Sequence, residues 1–365
     1  MLASGPWASR ARLDNMLTLR VLATLAVVFG HASSFFGAFS WSQFPAIPYI
    51  QSQAVTLFFL VSGYTIAWVC DRDAAHGRGI SNFIFDRAVR LLVPLVPILL
   101  LIGLVEAWIF DAHPYSQNFD LRTLFGNIVF LQNITIPGST SLIDSFGTNR
   151  PLWTISIEFW VYAAFAGSFF AFVSHTRKSA LTSICISLLG WYALNGFIVG
   201  GRGAGLPLIW LIGALTYWAL RGVSIAKFRH LLISTPLFIL VGVLLATKLY
   251  WPPDGTYSTA YNLIVATAFC LFVSVCPQLP NRWTAAMSWL GTFAYTTYLA
   301  HYPVMYWLWY FEVVPRGAFG ALAAIVFSLV ISYALGQIFE RNYKTVRAHL
   351  VERNWPSLRS GRLNP

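Results

Sequence analysis

The chain has 365 residues, 57% hydrophobic and 16% aromatic, and only 10% are charged. A soluble domain carries about a quarter charged residues, so this one has too little polar surface to cover a core in water. That excludes a soluble globular enzyme and predicts an all-α polytopic membrane protein, because apolar runs long enough to span recur along most of the length. The formal net charge of +11 raises nucleic acid as a partner, but its distribution argues against that.

Hydropathy predicts about ten spans, near residues 16–38, 49–70, 88–110, 151–173, 180–200, 205–221, 231–249, 260–276, 286–311 and 317–340. With the N-terminus in the cytoplasm, only Arg122, Arg150, Arg202, Lys248 and Arg316 of the 24 Lys and Arg fall outside. That asymmetry places both termini in the cytoplasm by the positive-inside rule. The first span is long and lacks a small-residue cleavage site, so it reads as retained. Residues 1–345 form the membrane domain, and 346–365 a basic tail suited to anionic lipid. Cys70, Cys185, Cys270 and Cys276 lie within spans or at their ends. No pair has metal-ligand spacing beside histidines, so neither a disulfide framework nor a metal site is expected.

Taken in chain order, the first span contains RVLATLAVVFGHASSFFG (20–37), with Arg20 near its inner end and His31 deep in apolar sequence. His31 lies roughly 22 Å along the helix from residue 16 and about 16 Å from Arg20. Arg20 suits an inner-face anchor. In FFLVSGYTI (58–66), Ser62 and Gly63 permit close helix approach or a local break. FIFDRAVRLLVP (83–94) sets Arg87 and Arg90 three apart, on one helical face. That pair suits a phosphate clamp, where planar guanidinium geometry counts, or a lipid-facing anchor. Glu106 falls near the outer end of the third span and reads as snorkelling outward.

Residues 111–150 form the longest polar-rich connection and read as external, a lid, binding surface or plain connector. LRTLFGNIVFLQ within it is too short to cross, so it lies on the membrane surface or re-enters. PLWTISIEFWVY (151–162) follows, with Trp153 at its start and Glu158 about 10 Å inside the outer boundary, a depth similar to that of His31. Ionisable groups at such depth are expensive and mark function. As neighbours the two make a carboxylate-oriented general base. Apart, they are a packing histidine bonded to a carbonyl and a glutamate reaching outward. LGTFAYTTYLAHYPV (290–304) places His301 just before Pro303, whose missing N–H predicts a kink. His301 then either faces a wet cavity or packs among aromatics.

The order of LTLRVLATLAVVFGH, FFLVSGYTI, FDRAVRLLVP, LWTISIEFWVY and LGTFAYTTYLAHYPV resembles the family-3 membrane acyltransferases. These are ten-helix enzymes that O-acylate bacterial exopolysaccharides, O-antigens and other envelope glycans. The resemblance implies that Arg20 and His31 match the family's first-helix pair, Arg87 and Arg90 its basic motif, and Glu158 the glutamate of its tryptophan-led motif. His301 matches a recurrent histidine. Leu17 departs from the acidic or amide residue common three before Arg20, and Phe159 from a second polar residue after the glutamate. The resemblance is to the stand-alone form, in which no esterase-like domain is expected after the tenth span.

The implied reaction takes acetyl-CoA as co-substrate and needs no metal. Arg20, Arg87 and Arg90 bind its phosphates. His31 and Glu158 are catalytic, His31 as base or transient acyl carrier. Ser62, Trp153 and His301 line a possible substrate cavity. The acceptor is a polysaccharide or lipid-linked glycan at a bacterial inner membrane, with lipids and no nucleic acid as further partners. A transporter or flippase of a saccharide or lipid-linked saccharide is the competing class, opposed by the absence of visible inverted repeats. A non-catalytic scaffold leaves His31 and Glu158 without purpose.

Overall fold

The structure, a computed structural model, describes residues 10–109, 118–135, 141–199, 203–221, 259–275 and 279–354. Twelve α-helices carry these residues. They are α1 (Arg10–Phe36), α2 (Ile50–Ala75), α3 (Ile80–Ile109), α4 (Leu121–Ile128), α5 (Trp153–Val173) and α6 (Arg177–Val199). After these come α7 (Leu206–Leu220), α8 (Thr259–Val275), α9 (Asn281–Gly291), α10 (Ala294–Tyr310), α11 (Ala318–Ile338) and α12 (Tyr343–Asn354). Among the described residues the only β pairing is two isolated bridges, Gln132 with Ile143 and Thr135 with Ser141.

Among the described residues six helices, α1, α2, α3, α5, α6 and α11, are long and apolar enough to cross a bilayer. The predicted span at 231–249 lies outside the described residues, as do parts of the 111–150 connection and the end of the basic tail. The predicted span at 286–311 is a correction: it is two helices, α9 and α10, separated at Thr292 and Phe293, and Pro303 lies inside α10. Thr292 ends α9 because its N–H and hydroxyl both fold back on Trp289 O, the hydroxyl at 2.6 Å, which stops the ladder after Gly291.

The residues group into two compact units. The first comprises Met1–Trp68, Gly203–Ala294 and Val304–Phe327; the second Val69–Arg202, Tyr295–Pro303 and Ser328–Pro365. Within the first, α2 and α7 approach through a reciprocal glycine pair. A side chain on Gly63 would strike the Trp210 carbonyl, and one on Gly213 the Leu60 carbonyl. Gly63 therefore serves close approach, and α2 runs through it without a break. Val28, Ala32, Phe36, Met305, Ala321 and Ala324 form a core cluster around the C-terminal half of α1. At the other end, Arg12 donates to the Leu220 carbonyl at 3.0 Å and closes the C-terminus of α7.

In the second unit α5 and α6 repeat the device. Gly167 faces the Ser187 backbone, and Gly190 the Ala164 backbone. Ser187 also donates to the Ala164 carbonyl at 3.0 Å. Pro303 lies inside α10, and its absent N–H frees the carbonyl four residues back, that of Leu299. Asn149, just before α5, donates to that carbonyl at 2.8 Å, so a loop side chain repairs the helix. Eight-residue α4 is capped by Asp120, which accepts from Thr123 N at 2.7 Å. Its polar Thr123 and Asn127 are buried while Leu121, Phe125 and Val129 face outward, the reverse of a water-facing helix.

Gly63→Leu is expected to lower the thermal midpoint of detergent-solubilised protein sharply, since a backbone carbonyl blocks the new side chain. Gly103→Ala in α3, where a Cβ meets only Phe146 at an ordinary 3.7 Å, should leave it unchanged or raise it by the helix preference for Ala, about 0.5–1 kcal/mol. Equal midpoints for the two variants contradict this packing.

Candidate active site

In the first unit α1 carries both Arg20 and His31, each partly buried. The Arg20 guanidinium lies over the Phe58 ring, 5.1 Å from its centre, a contact between α1 and α2 that sequence spacing did not signal. His31 follows Gly30, against which the first turn of α2 packs; a side chain there would meet Ile50 and the Gln51 backbone at 2.8 and 2.9 Å. One turn on, Ser34 donates to the Gly30 carbonyl at 3.0 Å and bonds Gln43 at 3.1 Å. Gln43 donates to the same carbonyl at 3.2 Å, and Gln51 reaches Ser34 at 3.4 Å. Ser34, Gln43 and Gln51 thus form a polar set around the carbonyl of Gly30, the residue before His31. Only Ser34, three residues on, carried a signal in the sequence, because i and i+3 share a face. Ser62 accepts from the Trp210 indole N–H at 3.2 Å.

In the second unit Glu158 sits on α5 and is 3% exposed, and the Tyr162 hydroxyl one turn along donates to its Oε1. Tyr162 is at i+4, the spacing that faces a partner on one helix. Trp153 is buried in the first turn of α5. Thr154 Oγ1 and the Tyr298 hydroxyl meet at 2.6 Å, joining α5 to α10. His301 is fully buried in α10. Its Nδ1 lies 3.0 Å from the Thr297 carbonyl, which only accepts, so Nδ1 bears the hydrogen. Tyr298 and Tyr302 flank the ring.

Arg87 and Arg90 lie on α3 as their spacing requires. Arg87 stacks over Phe83 at 5.5 Å, and Arg90 over Tyr343 of α12 at 5.5 Å. Among the described residues neither forms an ion pair. The nearby carboxylates are engaged by other arginines, Asp73 by Arg72 and Arg78, Asp86 by Arg78 and Arg347. Arg87 Nε is buried without a hydrogen-bond partner. A guanidinium pair with donors to spare suits an anionic ligand.

One expectation is corrected here. Glu106 does not reach outward: it is 4% exposed and tied to the loop before α5. Its carboxylate accepts from Thr148 N at 3.2 Å and from the Thr148 hydroxyl. Gly147 has φ +56 and passes so close that a Cβ would strike the carboxylate. A buried charge is tolerable when hydrogen-bonded, and the loop supplies those bonds.

A family model described as an acyltransferase domain matches residues 13–337, nearly the whole chain. The chain belongs to the family-3 acyltransferases. Membership, with the apolar helices, makes it a multi-pass membrane protein. An O-acetyl transferase of Shigella phage Sf6 is 30% identical over 112 residues, 30% of this chain and 32% of that protein. YrhL of Bacillus subtilis (strain 168), named as a peptidoglycan O-acetyltransferase, is 26% identical over 328 residues, 79% of this chain and 48% of that protein. The chain thus spans half or less of the length of these relatives. No solved structure matches it.

Thr148→Val removes the hydroxyl bond to Glu106 and is expected to cost about 1.5–3 kcal/mol, the range for a bond to a charged group. Faster proteolysis of the loop in the folded, solubilised protein checks it. A variant as resistant as wild type shows that Glu106 does not hold the loop.

Proposed function

We propose that this protein is an acyl-CoA-dependent O-acyltransferase that moves an acetyl or similar group to a hydroxyl of an envelope or exported polysaccharide, or of its lipid-linked precursor. The names of its relatives support an O-acetyl transfer with a glycan acceptor. The observation that carries the donor assignment is the Arg87 and Arg90 pair, unmatched by carboxylates and with a buried N–H unmet. A neutral saccharide has no use for such a pair, and the phosphates of coenzyme A have. In this reading the chain crosses a bacterial inner membrane about ten times, with both termini in the cytoplasm. The distribution of Lys and Arg supports that orientation.

Arg87 and Arg90, with Arg20 as a further cation, hold the donor's phosphates from the cytoplasm. The acceptor glycan approaches from the other side, near the connection that contains α4. His31 takes the proton from the acceptor hydroxyl as its oxygen attacks the thioester carbonyl. The new ester C–O bond forms, the C–S bond breaks, and the departing thiolate takes the proton from the imidazolium. Glu158, steadied by Tyr162, is the carboxylate that favours the charged ring in the transition state. Ser62, Trp153 and His301 are further candidates for acceptor recognition.

His31→Ala and Glu158→Gln are expected to fold and insert, to bind CoA normally, and to lose acetyl transfer by at least about a hundredfold, the lower end for general acid–base groups. The measurement is the O-acyl signal in NMR of the cell's polysaccharide, with each variant replacing the wild-type protein. Retained acetylation in both variants refutes the catalytic assignment.

A further inference from the structure

The N-terminal end of α3 is paired with a helix far away in sequence. Asp86 and Arg90 are one turn apart on α3, and Tyr343 and Arg347 one turn apart on α12. They engage in antiparallel order: Arg347 Nε donates to Asp86 Oδ1 at 2.5 Å, and Arg90 lies over the Tyr343 ring. Arg78, before α3, donates to the other oxygen of Asp86, and its side chain is 4% exposed. Glu340, just before α12, accepts from Thr296 N at 2.8 Å in the first turn of α10, which anchors the near end of α12.

Arg72, Arg78, Arg87, Arg90 and Arg347 meet here, with Asp71, Asp73 and Asp86 as the acids. Cations remain in excess. Four buried N–H positions have no hydrogen-bond partner: Arg78 Nε and Nη1, Arg87 Nε and Arg347 Nη2. Buried guanidinium donors left unmet are unfavourable unless an acceptor arrives, and they come from three residues on three segments around one carboxylate. The acceptor they describe is an anion with several oxygens, the chemistry of a phosphate.

The geometry points to α12 as a wall of the donor's phosphate site. Arg78 and Arg347 join Arg87 and Arg90 in one cradle, for the 3′-phosphate and diphosphate of acyl-CoA, and Asp86 is the positioning residue that holds both added arginines. This rests on the acyl-CoA reading of the preceding section and extends it to residues outside the predicted motifs. The phosphate of a lipid headgroup has the same chemistry, so the test separates the two sources.

The full chain is placed in nanodiscs of phosphatidylcholine, with and without phosphatidylglycerol, and titrated calorimetrically with CoA, dephospho-CoA and adenosine 3′,5′-bisphosphate. Arg347→Gln is expected to weaken CoA binding about tenfold in both discs, one charged hydrogen bond's worth. Arg347→Lys should restore little of it, lacking the planar fork. Arg78→Gln should act similarly; if it does not fold, Arg347→Gln decides, since Arg78 still neutralises Asp86 there. Unchanged CoA affinity in Arg347→Gln overturns the role of α12 while wild-type binding keeps the donor reading intact. A loss confined to discs with phosphatidylglycerol assigns the cradle to lipid and overturns it equally. A wild-type protein that binds none of the three probes sinks the acyl-CoA reading itself, and this inference with it.

Discussion

An apolar layer offers no water to an unmet polar group, and this chain is organised around meeting that constraint. Pro303 breaks the hydrogen-bond ladder of α10, and Asn149 supplies the donor that the ring removes. Glu106 lies buried in α3, and Thr148 brings it both an N–H and a hydroxyl. The two repairs come from adjacent residues. The short segment leading into α5 is therefore bound to α3 on one side and α10 on the other, and Glu158 stands a few residues further on. The placement of that carboxylate inherits its rigidity from a loop.

The glycine pairs do the same for the helices themselves. Without a hydrophobic drive between helices in lipid, close backbone approach and small polar bonds must hold a bundle. Gly63 with Gly213 and Gly167 with Gly190 let carbonyls and backbone nitrogens come near where any side chain would intervene. Among the described residues each compact unit has one such crossing. His31 and the polar set around the Gly30 carbonyl belong to the first, and Glu158 with the arginine cluster to the second.

Against that background the end of α3 stands apart. There the pairing is incomplete in one direction, with donors in excess of acceptors although Asp73 and Asp86 are both engaged. A protein that repairs a single proline gap with a dedicated asparagine leaves several guanidinium N–H groups buried and unmet. The economical physical account is an anionic ligand that completes the set. This is why the proposed acyl-CoA reading rests on the arginine cluster more than on the histidine.

Composition alone determined that the chain is a helical membrane protein, because scarcity of charge is a bulk property that no packing can reverse. Helical period put Arg87 and Arg90 on one face, and the small pair at Ser62 and Gly63 offered close approach or a break. The shortness of the segment at α4 ruled out a span, and the order of five motifs pointed to the family. All of these are local sums or fixed spacings along the chain. Partners distant in sequence were not legible that way. Thr148 for Glu106, Asn149 for Leu299 and Arg347 for Asp86 have no period linking them. The break at Gly291 to Phe293 also escaped hydropathy, since a hydroxyl that turns back on its own helix leaves the apolar run intact. Only the tertiary structure decided these, because a buried polar group is satisfied by whichever donor or acceptor the packing brings within reach, however far off it lies in the chain.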